Sequence, residues 1–163
     1  MAVVAGGNHS LGRRADGSLW AWGWNASGQL GLGTYDSQNT PTPVSGTGWV
    51  ALAAGAYHSL GLKADGALHA WGANNYGQLG LGDTTNRNTP KGLALGRVMA
   101  WKAVAAGYYH SLAIRATAPC GPGDVMRMVS WAWEIPPTGT SRPGWARPRT
   151  GWRWRWETFI AWG

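Results

Sequence analysis

Three histidines, each followed directly by a serine, are the residues of this chain best suited to chemistry. They are His9, His58 and His110, separated by 49 and 52 residues. An imidazole can bind a metal ion, and it can also act as the base that activates a serine hydroxyl. Adjacent residues of a strand point to opposite faces of a sheet, so the sequence does not predict a catalytic pair within any of these His-Ser dipeptides.

A shared metal site is not predicted either. Equivalent positions in successive repeats lie about one sheet spacing apart, roughly 10 Å, which is too far for one ion. The single cysteine, Cys120, cannot form an internal disulfide. We therefore interpret the three histidines as structural residues that hydrogen-bond to backbone, and His69 as a residue on a sheet surface. We predict no catalytic residue, no metal, no cofactor and no enzymatic activity.

The elements that hold these histidines form an internal repeat. Residues 53–82 restate residues 4–33, and a third copy begins at residue 105. Repeats of about 50 residues are typical of propeller blades and solenoid coils. The repeat units run roughly from 1 to 49, from 50 to 101 and from 102 to 116.

Each unit contains signals for short antiparallel strands. In the first unit, Asp16-Gly17 predicts a tight hairpin turn between HSLGRR and SLWAWG. Alternation places Leu19 and Ala21 on one face of the second strand. GQLGLG at 28–33 predicts a glycine-spaced corner around buried leucines, and Asn39-Thr40-Pro41 predicts the end of a polar loop. About four short strands per unit are the content of one blade.

These motifs carry a family resemblance. AAGxxHSL, ADGxLxAWG, N-x-x-GQLGLG and NTP, in this order, resemble the regulator-of-chromosome-condensation repeat, most closely in its bacterial style. The resemblance covers residues 1–116 and implies an all-β chain: a partial β-propeller of about two and a half blades, followed by an irregular tail. The structural positions of the repeat are Gly6, His9, Asp16, Gly17, Trp22, Gly23, Gly28, Gly31, Gly33, Gly55, His58, Asp65, Gly66, Trp71, Gly72, Gly77, Gly80, Gly82, Gly107 and His110.

Charge does not point to nucleic acid. Of the net charge of +7, residues 1–116 carry +4 and residues 117–163 carry +3, and the basic residues of the first part are spread singly. The start, MAVVAGGNHS, lacks the basic and apolar segments of a signal peptide, and no apolar run is long enough for a membrane span. A cellular location is not indicated, and no small-molecule substrate is indicated.

Binding to another protein is the function that remains. Aromatic residues on propeller loops desolvate a large area at modest entropic cost. We therefore predict an interaction scaffold, and as an alternative a guanine-nucleotide exchange factor for a small GTPase, which the family resemblance implies. Open blades should also expose apolar faces and edges that favour self-association. The candidate partner-binding residues are Trp24, Asn25, Tyr57, Asn74, Asn75, Tyr76, Tyr108 and Tyr109.

The repeat stops at Ala116, where an Asp-Gly turn should follow. Residues 117–163 instead hold six prolines, seven tryptophans and the run WRWRW. One interpretation is a disordered linker, and another is a Trp/Arg segment that binds a membrane or nucleic acid.

A third interpretation, which we favour, is a frame shift. If each codon takes the last base of one visible codon and the first two of the next, the tail can encode DGTLWAWG directly after Ala116. The single codons of Met and Trp then force glycine at positions 129, 132 and 134, the spacing of Gly28, Gly31 and Gly33. Positions 157 and 160 become glycine and His or Tyr, the spacing of Gly6 and His9. The sequence thus predicts a net one-base deletion near the Ala116 codon.

Overall fold

The computed structural model describes residues 1–93, 101–115 and 127–131. All regular structure among them is β-strand, and within these ranges no helix is long and apolar enough to cross a membrane. The strands form three antiparallel sheets. In chain order they are β1 Ala2–Ala5, β2 His9–Arg13, β3 Leu19–Gly23, β4 Gln38–Val44, β5 Trp49–Ala54, β6 His58–Lys63, β7 Leu68–Gly72, β8 Arg87–Gly92, β9 Trp101–Ala106, β10 Ser111–Arg115 and β11 Arg127–Trp131.

The first and second sheets are four-stranded meanders in sequence order, β1 to β4 and β5 to β8. The tight turns between their second and third strands are the predicted Asp-Gly hairpins, with positive φ at Gly17 and Gly66. The carboxylate of Asp16 accepts hydrogen bonds from the backbone and hydroxyl of Ser18, which closes the first hairpin. The same hydrogen bonds lower the pKa of Asp16.

The outer strand of each complete sheet was not predicted correctly. Asn39-Thr40-Pro41 and its counterpart Asn88-Thr89-Pro90 lie inside β4 and β8, not at the end of a loop. Proline is accepted here because these are edge strands, where the backbone position without an N–H can face away from the sheet. The fourth strand of each unit is therefore the proline-containing one, and WVALAA opens the next sheet.

The third sheet has the order β11-β10-β9 among the described residues. Strand β11 lies within the segment that the sequence predicts to be irregular, so that prediction is wrong at Arg127–Trp131. Without β11, one edge of β10 would present unpaired backbone N–H and C=O groups. A later segment of the chain can form a strand by pairing with such groups. The rest of the predicted tail and the proposed frame-shifted positions outside β11 lie outside the described residues.

Apolar clusters lie between the sheets and join them. Leu11 and Leu19 of the first sheet, and Leu30 of the loop between β3 and β4, are fully buried with Trp49 and Trp71 of the second sheet. The predicted alternation holds, since Leu19 and Ala21 are buried while Trp20 and Trp22 are half-buried.

Two further clusters repeat this packing between the second and third sheets. Leu62 and Leu68 pack with Trp101, and Leu60 and Leu79 pack against Val104 and Ala106. Burial of each leucine contributes about 2 kcal/mol, so the contacts between sheets are a main source of stability.

Candidate functional site

Two of the three repeat histidines, His9 and His58, each hydrogen-bond to a serine of the next sheet. His9 Nε2 lies 2.8 Å from Ser59 Oγ of the next sheet. Ser59 Oγ in turn donates to the Gln29 carbonyl oxygen at 2.8 Å, which also accepts from Trp71 Nε1 at 2.9 Å. Because the only proton of the serine hydroxyl goes to Gln29, His9 must donate to it through a protonated Nε2.

The same arrangement recurs one sheet further along. His58 Nε2 lies 3.0 Å from Ser111 Oγ, which donates to the Gln78 carbonyl oxygen at 2.7 Å. Burial lowers the pKa of both His9 and His58 to about 4, so both rings are neutral at pH 7. The structural role predicted for these histidines is thus seen, but their partner is a serine of the next sheet, not the backbone.

This His-Ser contact is not a nucleophile and its base. Ser59 and Ser111 are completely buried, and each hydroxyl proton is already held by a carbonyl oxygen. Within the described ranges, no group of three His, Cys, Asp or Glu side chains is placed to hold a metal ion. His69, the fourth histidine, is half-buried against the Trp49 ring, with ring centroids 5.3 Å apart.

The glycine three residues before each histidine makes room for its ring. A Cβ on Gly6 would meet His9 Cε1 at 2.6 Å, and a Cβ on Gly55 would meet the His58 ring and also the Gly107 carbonyl oxygen at 2.6 Å. The Gly-x-x-His spacing is therefore a packing requirement of the contact between sheets.

Glycines of the corner motif admit the next sheet in the same way. A Cβ on Gly28 would meet Asn88 Cα at 2.6 Å, and one on Gly31 would meet Trp71 Nε1 at 2.8 Å. Both glycines also have positive φ, which other residues rarely adopt.

Two of the candidate contact residues are structural. Asn25 and Asn74 are completely buried, so their assignment as partner-binding residues is wrong. The amide of Asn25 donates to the carbonyl oxygens of Thr34 and Asp36 and accepts from Leu30 N–H. Asn74 makes the corresponding bonds in its own loop, to Asp83 and Leu79. Sequence reasoning placed both on an exposed loop and did not detect that the loop folds around their side chains.

The four candidate tyrosines form one group, which we call the tyrosine cluster: Tyr57, Tyr76, Tyr108 and Tyr109. Ring centroids are 5.9 Å apart for Tyr57 and Tyr108, 4.4 Å for Tyr108 and Tyr109, and 4.9 Å for Tyr76 and Tyr109. Every pair has the edge-to-face geometry that aromatic rings prefer. Tyr108 is 57% exposed and Tyr109 39% exposed. The cluster is a continuous aromatic surface across the second and third sheets.

Loop geometry explains why these tyrosines meet. Tyr57, Tyr108 and Tyr109 lie in the turns between the first and second strands of their sheets, and Tyr76 lies in the loop after the third strand. Antiparallel strands bring both kinds of loop to the same end of a sheet, where Ala73 N–H donates to the Tyr57 carbonyl oxygen. The Asp-Gly hairpins lie at the other end, so the two ends carry different chemistry.

The hydroxyl groups of the cluster also interact. A hydrogen bond with the Tyr108 side chain raises the pKa of Tyr57, and a hydrogen bond with the Asn8 side chain opposes this shift. Asn8 is exposed and occupies in the first unit the position of Tyr57 and Tyr109, so it extends this surface onto the first sheet. Comparing equivalent repeat positions would have identified it from the sequence.

The other candidates at this end remain separate from the tyrosine cluster. Trp24 is 53% exposed in the first unit, and Asn75 is exposed beside Tyr76. Tyr35, which the sequence analysis did not select, is also 53% exposed. Asp83, in the same loop as Tyr76, forms an ion pair with Arg87, whose Nη2 lies 2.6 Å from the Asp83 carboxylate.

Four-stranded meanders that pack face to face through the same repeated contacts define a partial β-propeller. Comparison with known proteins identifies its family. The pattern described as "Regulator of chromosome condensation (RCC1) repeat" matches residues 16–62 and 65–114, and a second pattern of the same description matches residues 2–29 and 49–78. These matches cover more than half of the chain, which therefore belongs to the RCC1-repeat family.

Solved structures show the same fold. Human WBSCR16 is 29% identical with a TM-score of 0.69, over 81% of this chain and 32% of that one. Prp20p from Saccharomyces cerevisiae, described with its binding properties to Gsp1p and histones, is 26% identical with a TM-score of 0.63, over 80% and 32%. Yeast RCC1 (Prp20) bound to Kap60 gives 27% and 0.60, over 71% and 31%. The chain thus spans about a third of the length of these proteins.

Proposed function

We propose that this chain is part of a propeller scaffold that binds a partner protein through the tyrosine cluster. The observation that carries the proposal is the meeting of four tyrosines from three separate loops on one exposed surface. Tyrosine is enriched at the energetic centres of protein interfaces because it buries a large area and keeps a hydroxyl for hydrogen bonding. The similar Prp20 structures concern binding to proteins, which supports a protein as the partner class.

The proposal does not include catalysis. The His-Ser contacts are buried and hold sheets together, and the cluster offers rings and hydroxyl groups without a nucleophile. Guanine-nucleotide exchange, the alternative from the family resemblance, has no residue among the described ones that favours it over other protein binding. The Trp/Arg tail, as a membrane or nucleic-acid binder, falls outside the described residues apart from β11.

Site-specific photo-crosslinking tests the proposal. Benzoylphenylalanine replaces Tyr108 in one protein and Ala64, in the hairpin at the opposite end, in a matched control. In an extract of the source cells, the Tyr108 probe should give a discrete adduct that the Ala64 probe does not give. An excess of unlabelled chain should abolish the adduct, and an excess of the Tyr57→Ser, Tyr108→Ser double variant should not. Equal competition by that variant would refute binding through the cluster.

We also propose that residues 117–163 are the continuation of the repeat in a shifted frame. The position at which the strand pairing of the third sheet begins to differ from that of the other two sheets supports this proposal. In the first sheet Trp22 pairs with Ser10, and in the second Trp71 pairs with Ser59. In both pairs the tryptophan follows the serine by twelve residues. In the third sheet the residue opposite Ser111 is Trp131, twenty residues along. The repeat period is lost between β10 and β11, the interval in which the frame shift is inferred.

A further inference from the structure

The two ends of the sheets carry charges of opposite sign. By strand position, seven of the eight described Lys and Arg residues lie nearer the Asp-Gly hairpins than the tyrosine cluster, together with Asp16 and Asp65. The end that carries the tyrosine cluster has one described base, Arg87, and two aspartates, Asp36 and Asp83. The fold thus collects at one end the basic residues that the sequence spreads singly. The seven are Arg13, Arg14, Lys63, Lys91, Lys102, Arg115 and Arg127.

This separation lets the aspartates decide the local charge at the tyrosine end. Strands of five or six residues span roughly 17–20 Å, about two Debye lengths at physiological salt, so bases at their far ends are largely screened here. Arg87 is already paired with Asp83. Asp36 is exposed, and among the described residues it has no ion pair. A cationic ligand therefore meets a surface that does not repel it.

Cations of this chain already lie over aromatic rings at the other end. The Arg14 guanidinium is 3.9 Å from the ring centroid of Trp20, and Lys63 Nζ is 5.0 Å from that of Trp49. Both distances allow cation–π attraction. Within the described ranges, no Lys or Arg side chain lies over a ring of the tyrosine cluster. The chain thus supplies cations to rings at its basic end and leaves the tyrosine rings without one.

The geometry of the tyrosine cluster leaves most ring faces uncovered by its own members. In an edge-to-face pair, the edge of one ring covers one face of the other. The three contacts that link the four tyrosines therefore cover at most three of their eight ring faces. Tyr108 and Tyr109 have the most exposed side chains of the four. Ring faces carry the negative part of the quadrupole, so they attract a cation from outside.

Arginine fits this surface better than lysine does. Its guanidinium group is planar, stacks on an aromatic face and keeps several N–H donors in the plane of the group. Tyrosine hydroxyl groups can accept hydrogen bonds from these donors, and so can the side-chain carbonyl groups of Asn8 and Asn75, which are both exposed. The surface therefore offers arginine both ring faces and oxygen acceptors.

We propose that the partner bound by the tyrosine cluster is a basic protein segment that presents arginine side chains to the rings. This inference rests on the proposed function, since it names the chemistry of the partner for the same surface. Two features favour a cationic segment over an uncharged one. The described rings of the cluster have no cation of the chain's own, and the aspartates at this end outnumber the one described base.

Fluorescence anisotropy with two peptides tests the partner chemistry on the full 163-residue chain. One probe is a labelled peptide of alternating glycine and arginine. In the other, every arginine is replaced by citrulline, which keeps the shape of arginine and lacks its charge. The wild-type chain should bind the arginine peptide about tenfold more tightly, because only arginine makes cation–π contacts. Non-specific attraction cannot produce this preference, since the net charge of the chain is +7.

Variants of the two exposed tyrosines locate the binding. Tyr108→Leu with Tyr109→Leu keeps apolar area but removes two aromatic rings, and should weaken binding of the arginine peptide about tenfold. Tyr108→Phe with Tyr109→Phe keeps both rings and should bind like the wild type, which also shows that the cluster tolerates substitution. The matched control is Tyr35→Leu, the same change at a 53% exposed tyrosine of this end outside the cluster, and it should bind like the wild type.

Equal affinity for the two peptides, no measurable binding of the arginine peptide, or full affinity in the leucine variant would overturn the proposal. The photo-crosslinking experiment separates its failure from that of the proposed function. If the Tyr108 adduct forms in the extract and an excess of arginine peptide does not compete with it, the cluster binds a partner of other chemistry and only the arginine proposal is wrong. Absence of the adduct would refute the scaffold proposal and this inference with it.

Discussion

The first and third sheets share a repeat but differ in how their hairpins close. Between the second and third strands, the first sheet uses residues 14–18 and the second uses 64–67, with an Asp-Gly turn in each. The third sheet uses 116–126 for the same connection. Short hairpin turns fix the register of the two strands that they join, and long connections do not. The difference teaches that the register of a blade depends on the turn between its second and third strands, and residues 116–126 contain no Asp-Gly dipeptide for such a turn.

Restoring the frame should have the largest effect. Insertion of one base within the Ala116 codon would place Asp-Gly at 117–118 and glycines at 129, 132 and 134. The new corner and strand should bury leucines and a tryptophan against the second sheet, raising the free energy of unfolding by about 5 kcal/mol. Urea unfolding followed by tryptophan fluorescence measures this. A base inserted after the Trp133 codon leaves 117–133 unchanged and is the control, and an equal gain from it would contradict the account.

A tryptophan buried between two sheets should contribute more to the free energy of unfolding than the half-buried tryptophan at the same repeat position. Trp71→Ala removes a completely buried ring and the hydrogen bond to Gln29, and should cost about 4 kcal/mol. Trp22→Ala, at the same repeat position but half-buried, should cost about half as much. Chemical denaturation of both variants makes the comparison. Equal losses would mean that the contact between sheets does not set the stability of this position.

Acid should weaken the contacts through the histidines. His9 and His58 have a pKa of about 4 when folded and about 6.5 when unfolded, so the unfolded chain binds more protons between these values. Stability should be constant above pH 7 and fall by about 3 kcal/mol per histidine between pH 6.5 and pH 4. Urea midpoints over this range measure the loss. The paired variant His9→Asn, His58→Asn should be less stable at pH 7 and lose this slope, and a slope unchanged in it would assign the acid effect to other groups.

The glycines beside the histidines should give a smaller effect. Gly55→Ala places a methyl group against the His58 ring and the Gly107 carbonyl oxygen, and should cost about 2 kcal/mol. Gly77→Ala meets no atom within 4 Å but has a φ of +71°, so it should cost only about 1 kcal/mol from backbone strain. Thermal unfolding of the two variants distinguishes crowding from strain. A larger loss for Gly77→Ala would show that the contact at Gly55 has room to relax.

The sequence predicts the elements of this fold better than the contacts between them. The Asp-Gly turns, the alternating strands and the positive-φ glycines depend on neighbouring residues, and they are found where the motifs place them. The His9 contact joins residues 50 positions apart, and the repeat alone does not show that the next unit supplies Ser59. The predicted 10 Å separation of the histidines excluded a common ion but gave no information on this partner.

The candidate site was partly predictable for a related reason. Variation at fixed repeat positions located the four tyrosines, but the sequence did not predict that their rings meet edge to face. The same reasoning included Asn25 and Asn74, because an amide in a loop can face the solvent or hold the loop backbone. Only the folded loop shows that their side chains are used internally.

The measurement that tests the central claim most directly is the DNA sequence of the coding region from the His110 codon onward. The account predicts one additional base near the Ala116 codon, after which the reading continues as DGTLWAWG and through the next Gly-x-x-His. A coding sequence that encodes residues 117–163 as they stand, without the additional base, would contradict it. The third sheet would then be a genuine variant of the repeat, closed by the longer connection at 116–126.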